Sequence, residues 1–171
     1  MANGQHNIQI RNASLQDVDL LTDIEAACFP AAEAATREAF AQRLRYYAHH
    51  FWIIEVNGTA AGFIDGFVTN QKTITDNMFE DASLHNPQGD YQAVFGWNVL
   101  PAYRRNGYAA MLMQALIDAA EAAGRKGCIL TCKEQLIPYY QKFGYVCLGV
   151  SASVHGGAVW YDMLLEFWML R

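Results

Sequence analysis

Apolar and polar positions change their spacing several times along this chain, and each change predicts an element. Ile8-Gln9-Ile10-Arg11 alternates, which is the period of a short strand. Ser14-Leu15-Gln16-Asp17 then reads as a helix start, with Ser14 or Asn12 as the N-cap. Leu15, Val18 and Leu21 would share one apolar face, and Ile24 and Glu25 continue the helical spacing. Cys28-Phe29-Pro30 ends this helix, because a residue before proline is pushed out of the helical region. Ala31 to Ala35 is an alanine-rich turn, and Thr36-Arg37-Glu38-Ala39 opens a second helix with Phe40, Leu44 and Tyr47 on one side.

The pattern next becomes strand-like. His50 to Val56 reads as a strand, and Asn57-Gly58 is a strong hairpin signal. Thr59 to Val68 returns as one strand, whose Gly62 and Gly66 indicate weak side-chain packing or close approach by something else. Asn70 to Pro87 is polar and irregular, with one helical turn around Met78-Phe79-Glu80; a connection of this length is either functional or a plain surface insertion. Tyr91 to Leu100 is another strand and Pro101 to Gly107 a turn. Tyr108 to Ala123 is a helix rich in Ala, Leu and Met, stopped by Gly124. Gly127 to Cys132 is a buried strand. Glu134 to Phe143 is a short helix with Pro138 near its first turn and Gly144 as its stop. Tyr145 to Ser151 and Val159 to Leu165 are the last strands, joined through Gly156-Gly157. The order β-α-α-β-β-β-α-β-α-β-β mixes hairpins with crossover units, so a mixed sheet of the α+β or α/β class is expected.

Composition narrows the function classes. A length of 171 residues without repeat or linker is read as a single domain, 1–171. Hydrophobic residues make up 53% and charged residues 17%, enough apolar material for a real core and the opposite of a disordered chain. With 12 Lys+Arg against 17 Asp+Glu, the chain is not built as a general nucleic-acid binder, and any anionic ligand must be held by local groups. The start, Met1 to Asn7, is polar without an apolar signal core, and no apolar run approaches the roughly 18 residues of a membrane span. A cytoplasmic protein with reduced thiols and no membrane partner is expected. Cys28, Cys128, Cys132 and Cys147 lack zinc-site spacing, so no metal is expected. The apolar tail Phe167 to Arg171 packs on the sheet or on a second subunit, leaving monomer and homodimer open.

One segment carries chemistry. In Val99-Leu100-Pro101-Ala102-Tyr103-Arg104-Arg105-Asn106-Gly107-Tyr108-Ala109-Ala110, a strand ends and a turn places Arg104-x-x-Gly107-x-Ala109 at the start of the longest helix. The first turn of a helix has backbone N–H groups without internal partners, and its dipole favours negative charge. Gly107 removes a Cβ that would obstruct a phosphate, Ala109 is nearly as small, and Arg104 and Arg105 add cationic donors. The alternative is an ordinary solvated turn with two arginines.

Together with the element order, this segment resembles the GNAT superfamily of acyl-CoA-dependent N-acetyltransferases, whose signature is Arg/Gln-x-x-Gly-x-Gly/Ala after the fourth strand. Leu130-Thr131-Cys132-Lys133-Glu134-Gln135-Leu136-Ile137-Pro138-Tyr139-Tyr140-Gln141-Lys142-Phe143-Gly144-Tyr145 and Ser83-Leu84-His85-Asn86-Pro87-Gln88-Gly89 are similar to the arylalkylamine (serotonin-type) branch. The resemblance runs from about Ile8 to Leu165. It implies a GNAT-like α/β (mixed α+β) fold: a central mixed, mostly antiparallel sheet of about seven strands, splayed between strands 4 and 5 and flanked by about four helices. It implies acetyl-CoA as co-substrate, without metal, and an amine as partner. The coenzyme A pyrophosphate would lie on Arg104, Arg105, Asn106, Gly107, Tyr108, Ala109 and Ala110. Backbone groups of Trp97, Asn98 and Val99 would face the pantetheine arm, with the N–H near Trp97 or Asn98 as oxyanion donor. Tyr140 would be the general acid for the leaving thiolate, and Phe29, Pro30 and Phe95 would line the amine pocket.

The base does not carry over. Vertebrate-type members of that branch have two histidines where this chain has Ala93 and Phe95. His85, Asp65, Glu55 and His155 are candidates, each also readable as a surface or capping residue. Other acceptors within the superfamily are a polyamine, another small amine or a protein amine. A reading of another class is a non-catalytic acyl-CoA sensor, favoured by the absent histidine pair and disfavoured by the retained Tyr140.

Overall fold

The computed structural model describes residues 6–170; Met1 to Gln5 of the polar start and Arg171 of the apolar tail lie outside the described residues. Along the chain the strands are β1 (Ile8–Asn12), β2 (Phe51–Val56), β3 (Thr59–Asp65), β4 (Val68–Thr69), β5 (Tyr91–Ala93), β6 (Gly96–Val99), β7 (Gly127–Cys132), β8 (Val146–Val150) and β9 (Tyr161–Glu166). The α-helices are α1 (Val18–Cys28), α2 (Arg37–Tyr47), α3 (Asp76–Glu80), α4 (Tyr108–Ala122) and α5 (Ile137–Gln141). The described residues form two compact units, 6–65 with 96–115 and 66–95 with 116–170. Helix α4 begins in the first and ends in the second.

The first unit holds an antiparallel sheet in the order β1-β2-β3-β6. The β2–β3 hairpin turns at Asn57 (φ 52°) and Gly58 (φ 83°), both left-handed, as a two-residue turn between twisted strands requires. Helix α2 starts at Thr36, whose Oγ1 accepts the Ala39 N–H at 3.1 Å, and it buries Phe40, Leu44 and Tyr47 as the spacing predicts. Helix α1 differs from expectation. Ser14 and Asp17 cap each other across a 3-10 turn, Leu15–Asp17, before α1 begins. Three residues per turn rotate Leu15 off the α-helical stripe, and it is 60% exposed; the buried positions are Leu21, Ile24 and Glu25.

The second unit holds a five-stranded sheet in the order β4-β5-β7-β9-β8. Only β5 and β7 run parallel, over three residue pairs from Tyr91↔Gly127 to Ala93↔Ile129. The two longest expected strands are each broken. Residues 59–68 split into β3 and β4, and residues 91–100 into β5 and β6, so the described residues hold nine strands in two sheets where one sheet of about seven strands was expected. Among the described residues there are five α-helices where about four were expected, because the 70–87 connection contributes α3.

The break has a local cause. A Cβ at Gly66 would stand 1.8 Å from the Ala93 carbonyl oxygen, so backbone meets backbone there. Around it, Gln92 Nε2 donates to Gly66 O at 2.6 Å and Ala93 O at 2.9 Å, satisfying buried carbonyls where the ladder stops. The Ala93 N–H donates to Phe67 O and the Val94 N–H to Ile129 O. Beyond that point the chain continues as β6, an edge strand of the other sheet. The tail ends in a 3-10 turn, Phe167–Leu170, with Phe167 buried and Trp168 exposed.

Candidate acyl-CoA and acceptor site

The first unit presents an open strand edge that runs into a helix N-terminus. Leu100 N donates to Ala61 O, and Asn98 pairs with Phe63. By the alternation of an antiparallel ladder, the N–H groups of Gly96 and Asn98 face β3, and those of Trp97 and Val99 face the open edge. The Val99 carbonyl fits this: it accepts from Arg104 Nε at 2.9 Å and from Cys28 Sγ at 3.5 Å. Asn98, expected among the coenzyme contacts, instead turns its N–H to β3, and its buried side chain donates to Glu25 Oε1 at 2.7 Å.

The turn after β6 is built for convergent N–H groups. Arg105 (φ 67°) and Gly107 (φ 80°) are left-handed. Asn106 Nδ2 donates to the carbonyls of Tyr103 at 3.0 Å and Arg104 at 3.1 Å, so its side chain holds the turn rather than a ligand. Gly107 O accepts the Met111 N–H, the first bond of α4. The amides of Tyr108, Ala109 and Ala110 are therefore first-turn donors without an i−4 acceptor. The Tyr108 side chain is buried, which leaves its backbone as the part that can serve a ligand. A Cβ on Gly107 would meet nothing within 4 Å, so φ is what demands glycine and the space above it is open. Trp97 Nε1 donates to Ala109 O at 2.9 Å and ties β6 to this first helical turn.

The C-terminus of α1 lies beside the same edge through the Cys28–Val99 contact. There Phe29 adopts an extended backbone (φ −133°, ψ 150°) and is 40% exposed, and Pro30 O accepts from Glu33 N and Ala34 N in the following turn. Glu25 Oε2 accepts the Ala35 N–H, so one carboxylate braces both β6 and the end of this loop.

Beneath the edge lies a polar cluster that sequence reasoning did not assemble. Asp65 is fully buried; Tyr47 donates to its Oδ2 at 3.2 Å, and Arg43 Nη1 stands 3.7 Å away. Burial pushes the Asp65 carboxyl up to about 6, with Arg43 pulling it back and Glu25 pushing it further up. This has a testable sign. Between the unfolded value near 3.8 and the folded value near 6, the folded chain binds the extra proton. The contribution to stability is therefore full below the lower value and declines as pH rises to the upper one. Asp65→Asn cannot ionise. Its stability relative to the native chain is expected to rise by up to about 3 kcal/mol between about pH 4 and pH 7, read from denaturant midpoints. A pH-independent difference would mean that Asp65 ionises normally.

The other base candidates have structural partners. Glu55 pairs with Arg11 at 3.0 Å, His85 Nδ1 accepts the Val68 N–H at 3.0 Å, and His155 stacks on Phe79 with its carbonyl taken by Trp160 Nε1.

In the second unit, Tyr140 lies on α5. It is half-buried where Tyr139 is exposed, and its ring meets Tyr145 edge-on at 6.2 Å. Burial raises its pKa, with Cys132 and Tyr139 adding to the effect, so the phenol stays protonated well past neutrality. Cys132 itself is pushed up to about 11 by burial. Phe95 is half-buried, edge-on to Phe67 at 4.8 Å and tilted against Phe79 at 5.1 Å. Ala93 is fully buried in the sheet. Gln92 and Asn98 were missed as structural residues, although a polar residue inside an apolar strand run is the signal that could have flagged them.

Comparison with known proteins agrees with this architecture. The profile of the acetyltransferase (GNAT) family matches residues 18–145, and the chain belongs to that family of N-acetyltransferase enzymes. A probable hydrolase of Bacillus subtilis, YhcX, is 26% identical over 141 residues, covering 78% of this chain and 27% of that protein. Serotonin N-acetyltransferase of Mesocricetus auratus is 25% identical over 108 residues, covering 62% of this chain and 50% of that protein. The chain thus spans half or less of these curated relatives. The fold is shared with the GphF GNAT-like decarboxylase in complex with isobutyryl-CoA, at TM-score 0.76 and 19% identity, over 92% of this chain and 98% of that one. Among the described residues no helix is long and apolar enough to cross a membrane.

Proposed function

We propose that the chain, acting as one domain, transfers the acetyl group of acetyl-CoA directly to a primary amine, with an arylalkylamine as acceptor. The observation that carries this reading is the open edge of β6 leading into the Arg104–Ala110 turn. The left-handed Arg105 and Gly107, the latter bare of a Cβ, and three first-turn amides come together there beside Arg104. This donor set fits a pyrophosphate, which needs N–H groups and positive charge in one concave turn. The isobutyryl-CoA held by the structurally similar decarboxylase supports an acyl-CoA ligand for this fold.

Acetyl-CoA supplies an activated thioester carbonyl. This chain's residues orient it and manage charge. The Trp97 N–H, which points away from β3, is the donor for the oxyanion that develops on that carbonyl. The Val99 N–H guides the pantetheine arm, its carbonyl being taken by Arg104 and Cys28. Tyr140, kept protonated by burial, gives its proton to the departing thiolate sulfur and regains one from solvent, which takes the proton the attacking amine loses. Phe29 and Pro30, beside the edge through Cys28, and Phe95 contact the amine. The similarity to serotonin N-acetyltransferase and the exposed aromatic ring of Phe29 support an aromatic acceptor.

Thiol release from acetyl-CoA with phenethylamine, tryptamine, serotonin, spermidine and a lysine peptide tests the reading. Preference for the aromatic amines is expected. Activity with spermidine or peptide alone would remove the arylalkylamine assignment, and no turnover with tight acetyl-CoA binding would favour a sensor. Arg104→Ala and, separately, Gly107→Val should raise KM for acetyl-CoA roughly 10- to 100-fold, the size of a charge-assisted hydrogen bond or a blocked approach. An unchanged KM would remove the turn from the cofactor site.

A further inference from the structure

The connection between β4 and β5 is more than a spacer. With Phe67 it lines a half-open pocket of about 400 Å³, a volume suited to part of a small molecule. Its apolar wall is Phe67, Met78 and Leu84; its polar wall is Thr69, Gln71, Thr75 and Asn77. No lining residue is charged. Thr69 Oγ1 accepts the Gln71 N–H at 3.1 Å, and the Thr75 hydroxyl donates to Asn77 Oδ1, so Nδ2 is the remaining hydrogen-bonding end of that amide.

The wall is held in place from outside. Asp76, at the start of α3, accepts from Ser153 Oγ and from Val154 N at 3.2 Å, and Phe79 stacks on His155 at 5.8 Å. The acid nearest in sequence to the cavity wall is thereby committed to the β8–β9 loop. Against Phe67 and Met78 a cationic tail would give up part of its water and meet no carboxylate among the lining residues, and an anionic tail would find no lysine or arginine there. An uncharged tail avoids both costs. One with an apolar body and an amide end would match the Thr and Asn/Gln wall. The cavity also connects to the acceptor: Phe67 lines it and packs edge-on against Phe95 at 4.8 Å.

We propose that this cavity is an acceptor subsite that binds the uncharged, hydrogen-bonding tail of the amine and excludes amines with a second charge. This rests on the acetyltransferase reading above, through the placement of the acceptor on Phe95.

Four amines of matched length decide it: 5-aminopentanamide, pentylamine, 1,5-diaminopentane and 5-aminopentanoate. The carboxamide should show kcat/KM at least about tenfold above the diamine and the acid, the worth of one unmade hydrogen bond or unpaired charge. Asn77→Leu, at an exposed position, should bring the carboxamide down to the level of pentylamine. Met78→Trp should fill the pocket and bring kcat/KM for the carboxamide down toward that of pentylamine. Equal use of all four amines, or a preference untouched by Asn77→Leu, overturns the subsite. A readout independent of turnover is the Met78 methyl resonance on addition of 5-aminopentanamide. If that resonance shifts in the native chain and not in Asn77→Leu while no amine is acetylated, the subsite stands and the acetyltransferase reading falls. If it does not shift, the subsite falls whatever the turnover.

Discussion

Tyr140→Phe should lower kcat by about 10²- to 10⁴-fold while KM for acetyl-CoA changes by less than about threefold, the range expected when a general acid is lost and binding is kept. The substitution removes one oxygen and leaves the ring. Its packing against Tyr145 at 6.2 Å and Tyr139 at 5.8 Å is retained, so stability should fall by no more than the roughly 1 kcal/mol of a single hydrogen bond. The raised pKa gives a second readout. A phenol held above the ordinary tyrosine value of 10 keeps its proton through the physiological range. Ionisation of Tyr140 should therefore place no falling limb in the native kcat profile below pH 10. Full activity in Tyr140→Phe would take this residue out of the chemistry and return the thiolate's proton to solvent.

The largest stability effect is expected at a glycine. In Gly66→Ala the new methyl would stand 1.8 Å from Ala93 O, 2.5 Å from Ala93 C and 3.0 Å from Val94 N. All three are backbone atoms of the strand break, so no side chain can swing aside. The break would have to open and pull Gln92 Nε2 from the Gly66 carbonyl, a 2.6 Å bond in a fully enclosed place. A cost of about 3 kcal/mol or more follows from overpacking plus a buried polar group left unpaired. For a chain of this size that lowers Tm by roughly 6–12 °C. Gly58→Ala is the control. Its Cβ would meet nothing within 4 Å, and the only penalty is the left-handed backbone at φ 83°, about 1 kcal/mol. If Gly66→Ala costs no more than Gly58→Ala, the strand break is soft and the close approach does not constrain it.

The position of Tyr140 is local information: its half-buried setting beside an exposed Tyr139 follows from neighbouring positions on one helix. The closeness at Gly62 and Gly66 was visible as two glycines inside an apolar strand. What approaches them was not: Asn98 O at Gly62 and Ala93 O at Gly66 come from more than twenty residues away.

By itself the sequence determined the local elements. The period of Phe40, Leu44 and Tyr47, the Asn57-Gly58 turn, and the stop at Gly124 (φ 77°) each depend on a few adjacent residues and their dihedral preferences. The Arg104-x-x-Gly107 turn belongs with them, because a glycine before a long helix already specifies a left-handed entry and free amides. Tertiary structure decided the rest. An alternating run specifies a strand but not its partner. Residues 59–68 and 91–100 therefore read as continuous, whereas each changes sheet at a point set by backbone contact with the other. Asn98 reads as a backbone contact until the strand register turns its N–H to β3, while Glu25, 73 positions earlier, holds its side-chain amide. Asp65 reads as a candidate base until Arg43 and Tyr47 on α2 close over it. The free energy of a buried polar group depends on partners that only folding brings within hydrogen-bond reach, and no local pattern encodes them.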